Sequence, residues 1–230
     1  MNKVEESYRS RYDYFYFLMA TDNLVEFQSL AKNTLDMEDL LKMETLKSPD
    51  LTIEECKALK GEELFLKMSH VTFKCRMLSV QTIINSVLCL ESLINDYAVT
   101  KFSQSYFDKH FKRLSIASKY IIVPQLALSK SFDKSQQPYK NLKDLIKVRN
   151  NLVHSKSKSF NNSQSISEAL INTIVHVRRT RKHYDTIKLI LTEFISLDPE
   201  YEYFNIYKMF FKGESETNNM DHFWSSLIAR

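Results

Sequence analysis

Glycine and proline are nearly missing from this chain: two glycines, Gly61 and Gly213, and four prolines in 230 residues. Only glycine enters positive φ without steric cost, and tight hairpins rely on it or on Asn-Gly pairs. A sheet of short hairpins is therefore disfavoured. Phosphate-cradling loops need two or three glycines within a few residues, and neither Gly61 nor Gly213 has such a neighbour. Walker-type nucleotide hydrolysis and dinucleotide binding are disfavoured for the same reason. Cysteine is scarce as well. Cys56, Cys75 and Cys89 are odd in number and lack paired spacing, which reads as reduced, mostly buried thiols in a cytosolic protein. No apolar run approaches the length expected of a bilayer span. The charged start of the chain, Met1 to Arg11, lacks the apolar stretch of a signal peptide. The expectation is a soluble, cytoplasmic protein with no membrane partner. No serine or cysteine sits in a nucleophile motif. His176 and His183 share a helical face, but no third ligand accompanies them, so neither a metal nor a cofactor is expected.

What is present is an ordinary globular balance, 43% hydrophobic and 26% charged, in a chain long enough to bury a core without staples. The net charge of +4 permits a polyanionic partner without demanding one. Hydrophobic periodicity is helical nearly throughout. The aromatic-crowded segment Tyr8 to Leu18 is ambiguous in type. Helices are expected from Leu24 to Lys32, with Asp22 as cap, and from Met37 to Leu46, ending before Pro49. Thr52 and Glu55 have capping-box spacing. Glu62 to Val99 reads as one long helix or two joined ones. Ser105 is expected to cap a helix carrying Phe107, Phe111 and Leu114. Pro124 interrupts the next apolar stretch, and Ser129 to Tyr139 reads as a loop. Asn141 then opens a helix to about His154. A Ser/Asn/Lys-rich loop follows, Ser155 to Ser165, with Ser165 and Glu168 forming a second capping box for a helix from Ile166 to Leu197. Pro199 marks its exit into an aromatic tail.

Two charges occupy positions where leucines belong. On a helix, at roughly 100° per residue, Leu142, Leu145, Ile146, Leu152 and Val153 form an apolar stripe, and Arg149 lies in its middle. In the helix before it, Val80, Ile83, Ile84, Val87, Ile94 and Ala98 form a stripe centred on Glu91. An unpaired ion in such a place costs several kcal/mol, and a guanidinium fork suits a carboxylate partner. Either Glu91 and Arg149 meet across a helix seam, or one or both reach solvent at a cleft edge. His154 lies roughly 140° around an ideal helix from Arg149. The helix must therefore end near His154 if its imidazole is to turn toward Arg149 or toward a second subunit.

The segment Leu-Lys-Asp-Leu-Ile-Lys-Val-Arg-Asn-Asn-Leu-Val-His-Ser-Lys, residues 142 to 156, resembles the signature of the HEPN superfamily: an arginine, a polar residue, and a histidine after four to six intervening positions. Arg149, Asn150 and His154 fill those places. Residues Cys89 to Asn95 resemble the second HEPN helix, whose acidic residue often faces the motif, and the helix after Ser165 would be the fourth. The likeness covers Ser79 to Leu197. It implies an all-α, HEPN-like helical bundle spanning 61–197, with additional N-terminal helices in 1–60 and a C-terminal segment, 198–230, packed on the core. The enzymes known in that superfamily are metal-independent endoribonucleases that act as dimers, while many other members show no activity. The resemblance therefore implies RNA as substrate, catalytic roles for Arg149, His154 and Asn150, support from Glu91, and cleavage through the ribose 2′-hydroxyl. It also implies a toxin or phage-defence effector, with an antitoxin or regulatory protein as partner. The alternative is a non-catalytic HEPN dimerisation or binding module. Beyond the likeness, Arg178, Arg179, Arg181 and Lys182 form a basic run that could grip RNA phosphates, with Tyr184 beside it to stack on bases. The bland reading of such a run is a solvated helix face.

Overall fold

The computed structural model describes residues 12–45, 62–153, 166–205 and 207, and the side chains of 12–30, 70–71, 73–153, 179–205 and 207. Among these residues the chain is all-α and contains no strand. Its long helices are α1 (Tyr12–Thr45), α2 (Glu62–Phe102), α3 (Ile116–Leu128), α4 (Gln137–Val153) and α5 (Ile166–Leu197). A short turn, Gln104–Tyr106, and a π-turn, Phe107–Phe111, link α2 to α3, and a 3₁₀ turn, Glu202–Phe204, follows α5.

Helix α2 is the axis of the bundle, because α1, α3, α4 and α5 all pack against it. Its buried residues run nearly all round: Leu78, Ile83, Val87, Cys89, Leu90, Leu93, Ile94, Tyr97 and Ala98. A helix apolar on every side belongs at a centre. By length and composition the part Phe73–Phe102 would also cross a bilayer, contrary to the expectation that no run is long enough. Most of that stretch is buried by the other helices. Two of its core hydroxyls bond to the helix itself, Thr82 to the Leu78 carbonyl at 2.8 Å and Ser86 to the Thr82 carbonyl at 2.7 Å, and that of Ser79 meets the Thr180 hydroxyl of α5, so these carry no desolvation debt.

Several boundaries differ from expectation. The two short helices expected between Leu24 and Leu46 belong to one helix that begins at Tyr12; no Gly or Pro breaks the intervening residues. Glu62 to Val99 resolves as one helix. Ser103, not Ser105, is the cap, its Oγ accepting from the Tyr106 amide at 3.4 Å. Pro124 lies inside α3 rather than interrupting it. Helix α4 starts at Gln137 rather than Asn141, since Pro138 fits a first turn, where no amide partner is needed. The expected capping boxes at Thr52 and Ser165 and the tail pairs Phe210-Phe211 and Phe223-Trp224 lie outside the described residues.

Residues 12–30, from the stretch set apart as an N-terminal extension, enter the same core as the rest: Phe17, Ala20, Leu24 and Phe27 join Leu90, Tyr184 and Tyr207 in one apolar cluster. A polar knot closes the chain on itself. Asp13, wholly buried, accepts from the Tyr203 hydroxyl and, at 2.7 Å, from the Tyr207 hydroxyl. Cys89 sits beside it; burial pushes its thiol well above the usual range, the Asp13 carboxylate adds to this, and the Tyr207 hydroxyl opposes it. At the exit of α5, Asp198 accepts from Tyr97 and Lys101, both at 2.8 Å.

Candidate functional site

Arg149 and Glu91 meet. Helices α2 and α4 are neighbours, and each charge sits mid-stripe on its own helix, so packing the two stripes together brings them face to face. Arg149 Nη2 lies 4.0 Å from Glu91 Oε2, with 26% and 36% of the two side chains exposed. The pair is thus neither sealed in the core nor free in solvent. A charge-assisted fork would close to about 2.7–2.9 Å, so this contact is electrostatic rather than a direct hydrogen bond. Arg149 Nε is buried and has no acceptor. Leaving such a donor unpaired costs about 1–3 kcal/mol. Asn150, next in sequence, is exposed, as are Asn151 and Val153 at the end of α4. His154 lies one position beyond the helix, outside the described residues.

A third charge is buried on α3, which packs against α2. Lys119 of α3 is buried, 3% exposed. Its Nζ donates to Asn95 Oδ1 at 2.8 Å and stands 5.3 Å from the centre of the Phe107 ring. Burial lowers its pKa, and the Glu91 carboxylate opposes that shift. Asn95 is one turn after Glu91 on α2, so α2, α3 and α4 converge on this junction. The link between α2 and α3 helps to build it. Ser103 is held at φ 98°, an uncommon conformation for a residue with a Cβ. The chain then enters the π-turn, closed by the Lys112 amide on the Phe107 carbonyl at 3.0 Å, and Phe107 is carried to the lysine. Lys119 escaped the sequence reading, yet its signal was present. It falls in the stripe Ile116, Tyr120, Val123 of its own helix, as Arg149 does in its stripe.

The basic run of α5 divides. Arg179 and Lys182 are exposed. Arg181 is engaged, its Nε donating to both oxygens of Asp185 at 3.0 and 3.1 Å. The side chain of Arg178 lies outside those described. Tyr184 does not stand beside the run to receive bases. It is buried, stacked on Phe17, with its hydroxyl 2.8 Å from Thr21 Oγ1. His183 is also turned inward; burial lowers its pKa, with Lys182 and Arg179 adding to this and Asp144 of α4 opposing it. Cys75 and Cys89 are buried, while Cys56 lies outside the described residues. Among the described residues no group of three His, Cys, Asp or Glu converges as a metal site would require.

No protein-family model, no curated protein and no solved structure matches the chain.

Proposed function

We propose that this chain is an HEPN-type, metal-independent endoribonuclease, a cytoplasmic homodimer that serves as a toxin or defence effector under the control of an antitoxin or regulatory protein. One observation carries the reading. A guanidinium stands in the middle of an apolar helix stripe, 26% of its side chain exposed and 4.0 Å from Glu91 of the neighbouring helix, beside exposed Asn150 and five residues before a histidine. An arginine kept only to fasten two helices would be expected to spend its donors on the carboxylate.

The chemistry follows from those groups. His154 takes the proton of a ribose 2′-hydroxyl, a task suited to histidine because the unperturbed imidazole pKa lies near neutrality. The 2′-oxygen bonds to phosphorus, the 5′-oxygen bond breaks, and a 2′,3′-cyclic phosphate remains. The departing 5′-oxygen needs a proton in turn, and a second copy of the motif across a two-fold axis supplies another imidazole to deliver it. Arg149 neutralises charge that gathers on the phosphate oxygens. Asn150 orients the histidine or a phosphate oxygen, and Glu91 fixes the arginine rotamer. DNA resists because it lacks the 2′-hydroxyl. The exposed Arg179 and Lys182 provide a weaker grip on phosphates further along the strand.

The test is cleavage of RNA by purified protein in excess chelator, with His154→Ala abolishing it. Unchanged cutting by the variant removes this mechanism. A second reading, a non-catalytic HEPN dimerisation or binding module, is favoured by the fact that the Glu91–Arg149 pair also ties α4 to α2. It predicts no cleavage by wild type and a dimer that survives His154→Ala.

A further inference from the structure

The link between α2 and α3 takes no part in the reaction just described. Its stretch from Tyr106 to Arg113, Tyr-Phe-Asp-Lys-His-Phe-Lys-Arg, mixes aromatics with cations, and the fold sorts them. Phe107 and Phe111 are buried, while Tyr106, Lys109, His110, Lys112 and Arg113 face solvent. Asp108 is the one carboxylate in this stretch, and it is occupied. Gln104 Nε2 donates to it at 3.2 Å, and Lys112 Nζ stands 3.6 Å away. Within the stretch, Lys109 and Arg113 therefore add positive charge that no neighbouring acid in the sequence offsets.

Tyr106 is the unusual member. Tyr97, Tyr120 and Tyr207 are buried and spend their hydroxyls inside the fold. Tyr106 keeps 40% of its surface exposed, yet its ring is braced by three neighbours. It is stacked on Phe102 at 5.3 Å between centroids, and tilted against His110 at 4.4 Å and Phe111 at 5.4 Å. A ring fixed before a ligand arrives costs little further ordering on binding, and every nucleobase has a face that stacks on such a ring. Cations beside it serve the phosphates flanking the base. A merely solvated run of charge would need no braced ring. The placement agrees. On an ideal helix Phe102 lies roughly 20° around α2 from Glu91 and roughly 16 Å along it, so the ring and the Glu91–Arg149 pair share one side of α2. We propose that Tyr106, with Lys109 and Arg113, is a docking site for single-stranded RNA. It holds an unstacked base of the substrate strand and its phosphates at a distance from Arg149. The identity of the strand rests on the nuclease reading.

A short 2′-O-methyl oligouridine tests docking without cleavage, because its 2′-oxygen is blocked. Its affinity for the full chain is read by fluorescence anisotropy. Tyr106→Leu, which keeps apolar bulk and loses the π face, should weaken binding about tenfold, whereas Tyr106→Phe should stay within about twofold of wild type. Lys109→Gln with Arg113→Gln should weaken it as well, and should lower the slope of log affinity against log salt by about 1.4, two contacts at about 0.7 each on a single strand. An abasic strand of the same length offers phosphates without bases, so it should sense the cation variants and not Tyr106→Leu. Equal loss from Tyr106→Leu on both strands, affinity unaltered in these variants, or no binding by wild type overturns the inference. The expected pattern in a protein that cuts no RNA defeats the nuclease reading alone. In a protein that does cut, Tyr106→Leu should raise KM for a long RNA more than for a dinucleotide, which cannot span the distance from Arg149 to the ring. An equal effect on the two substrates overturns the docking role.

Discussion

If the Glu91–Arg149 contact is a positioned pair and not two solvated charges, it has a measurable coupling energy. Two unit charges about 4 Å apart interact by about 1 kcal/mol in bulk water and about 4 kcal/mol at an effective dielectric of about 20. The side chains here keep 36% and 26% of their surface exposed, which excludes the upper figure, while their shared apolar flanks exclude full screening. A coupling of about 1–2 kcal/mol is expected between these limits, above the few tenths typical of exposed pairs. Glu91→Gln, Arg149→Met and the double variant form the cycle, and urea denaturation reads the stabilities. The coupling should shrink but persist in 1 M salt, where the Debye length is about 3 Å. A value below about 0.3 kcal/mol at low salt, where surface pairs lie, would refute the reasoning and leave Arg149 as an ordinary surface cation.

Two further outcomes are expected. His183 is held below its ordinary pKa by burial, so the unfolded chain takes the proton first; stability should fall as the pH drops below about 6.5, the unperturbed value, and His183→Gln should flatten that slope in denaturation curves. On α5, Arg179→Glu with Lys182→Glu should lower RNA affinity and reduce its salt dependence by about two phosphate contacts, whereas Arg181→Gln should do less, because Asp185 already holds that guanidinium. An equal effect from all three would show that the Asp185 pairing does not matter.

Where one helix alone decides, the sequence was readable. The span Ile166 to Leu197 and the placement of Glu91 and Arg149 at stripe centres follow from periodicity, and packing α2 against α4 then brings the charges together. Readings that leaned on caps were less secure. Asp22 can cap a helix, but with no Gly or Pro nearby the upstream turns simply continue, and Asp22 ends up exposed inside α1. Ser103 and Ser105 are equally good cap residues; the choice is made where Phe107 and Phe111 must reach the core. Lys119 and Asp13 carry the same mark as Arg149, a charge within an apolar stripe: Asp13 heads the series Phe17, Ala20, Leu24, Phe27 on α1. The mark says that a partner exists but not which one, because the partner lies on another helix. For Asp13 the two tyrosines stand 190 and 194 positions away, and no local rule reaches that far.

That distance bears on how the molecule is made. Ribosomes add about 5–20 residues per second, and early segments begin to fold as they emerge. Helix α1 can form as soon as it leaves the exit tunnel, and it can lie against α2 well before α5 exists. Its buried carboxylate Asp13, however, must wait for Tyr203 and Tyr207, the closing of a loop nearly as long as the chain. Until then the nascent molecule carries an unanswered acceptor in its forming interior. The clasp that joins α1 to the segment after α5 is the step synthesis has to reach before this core can lock.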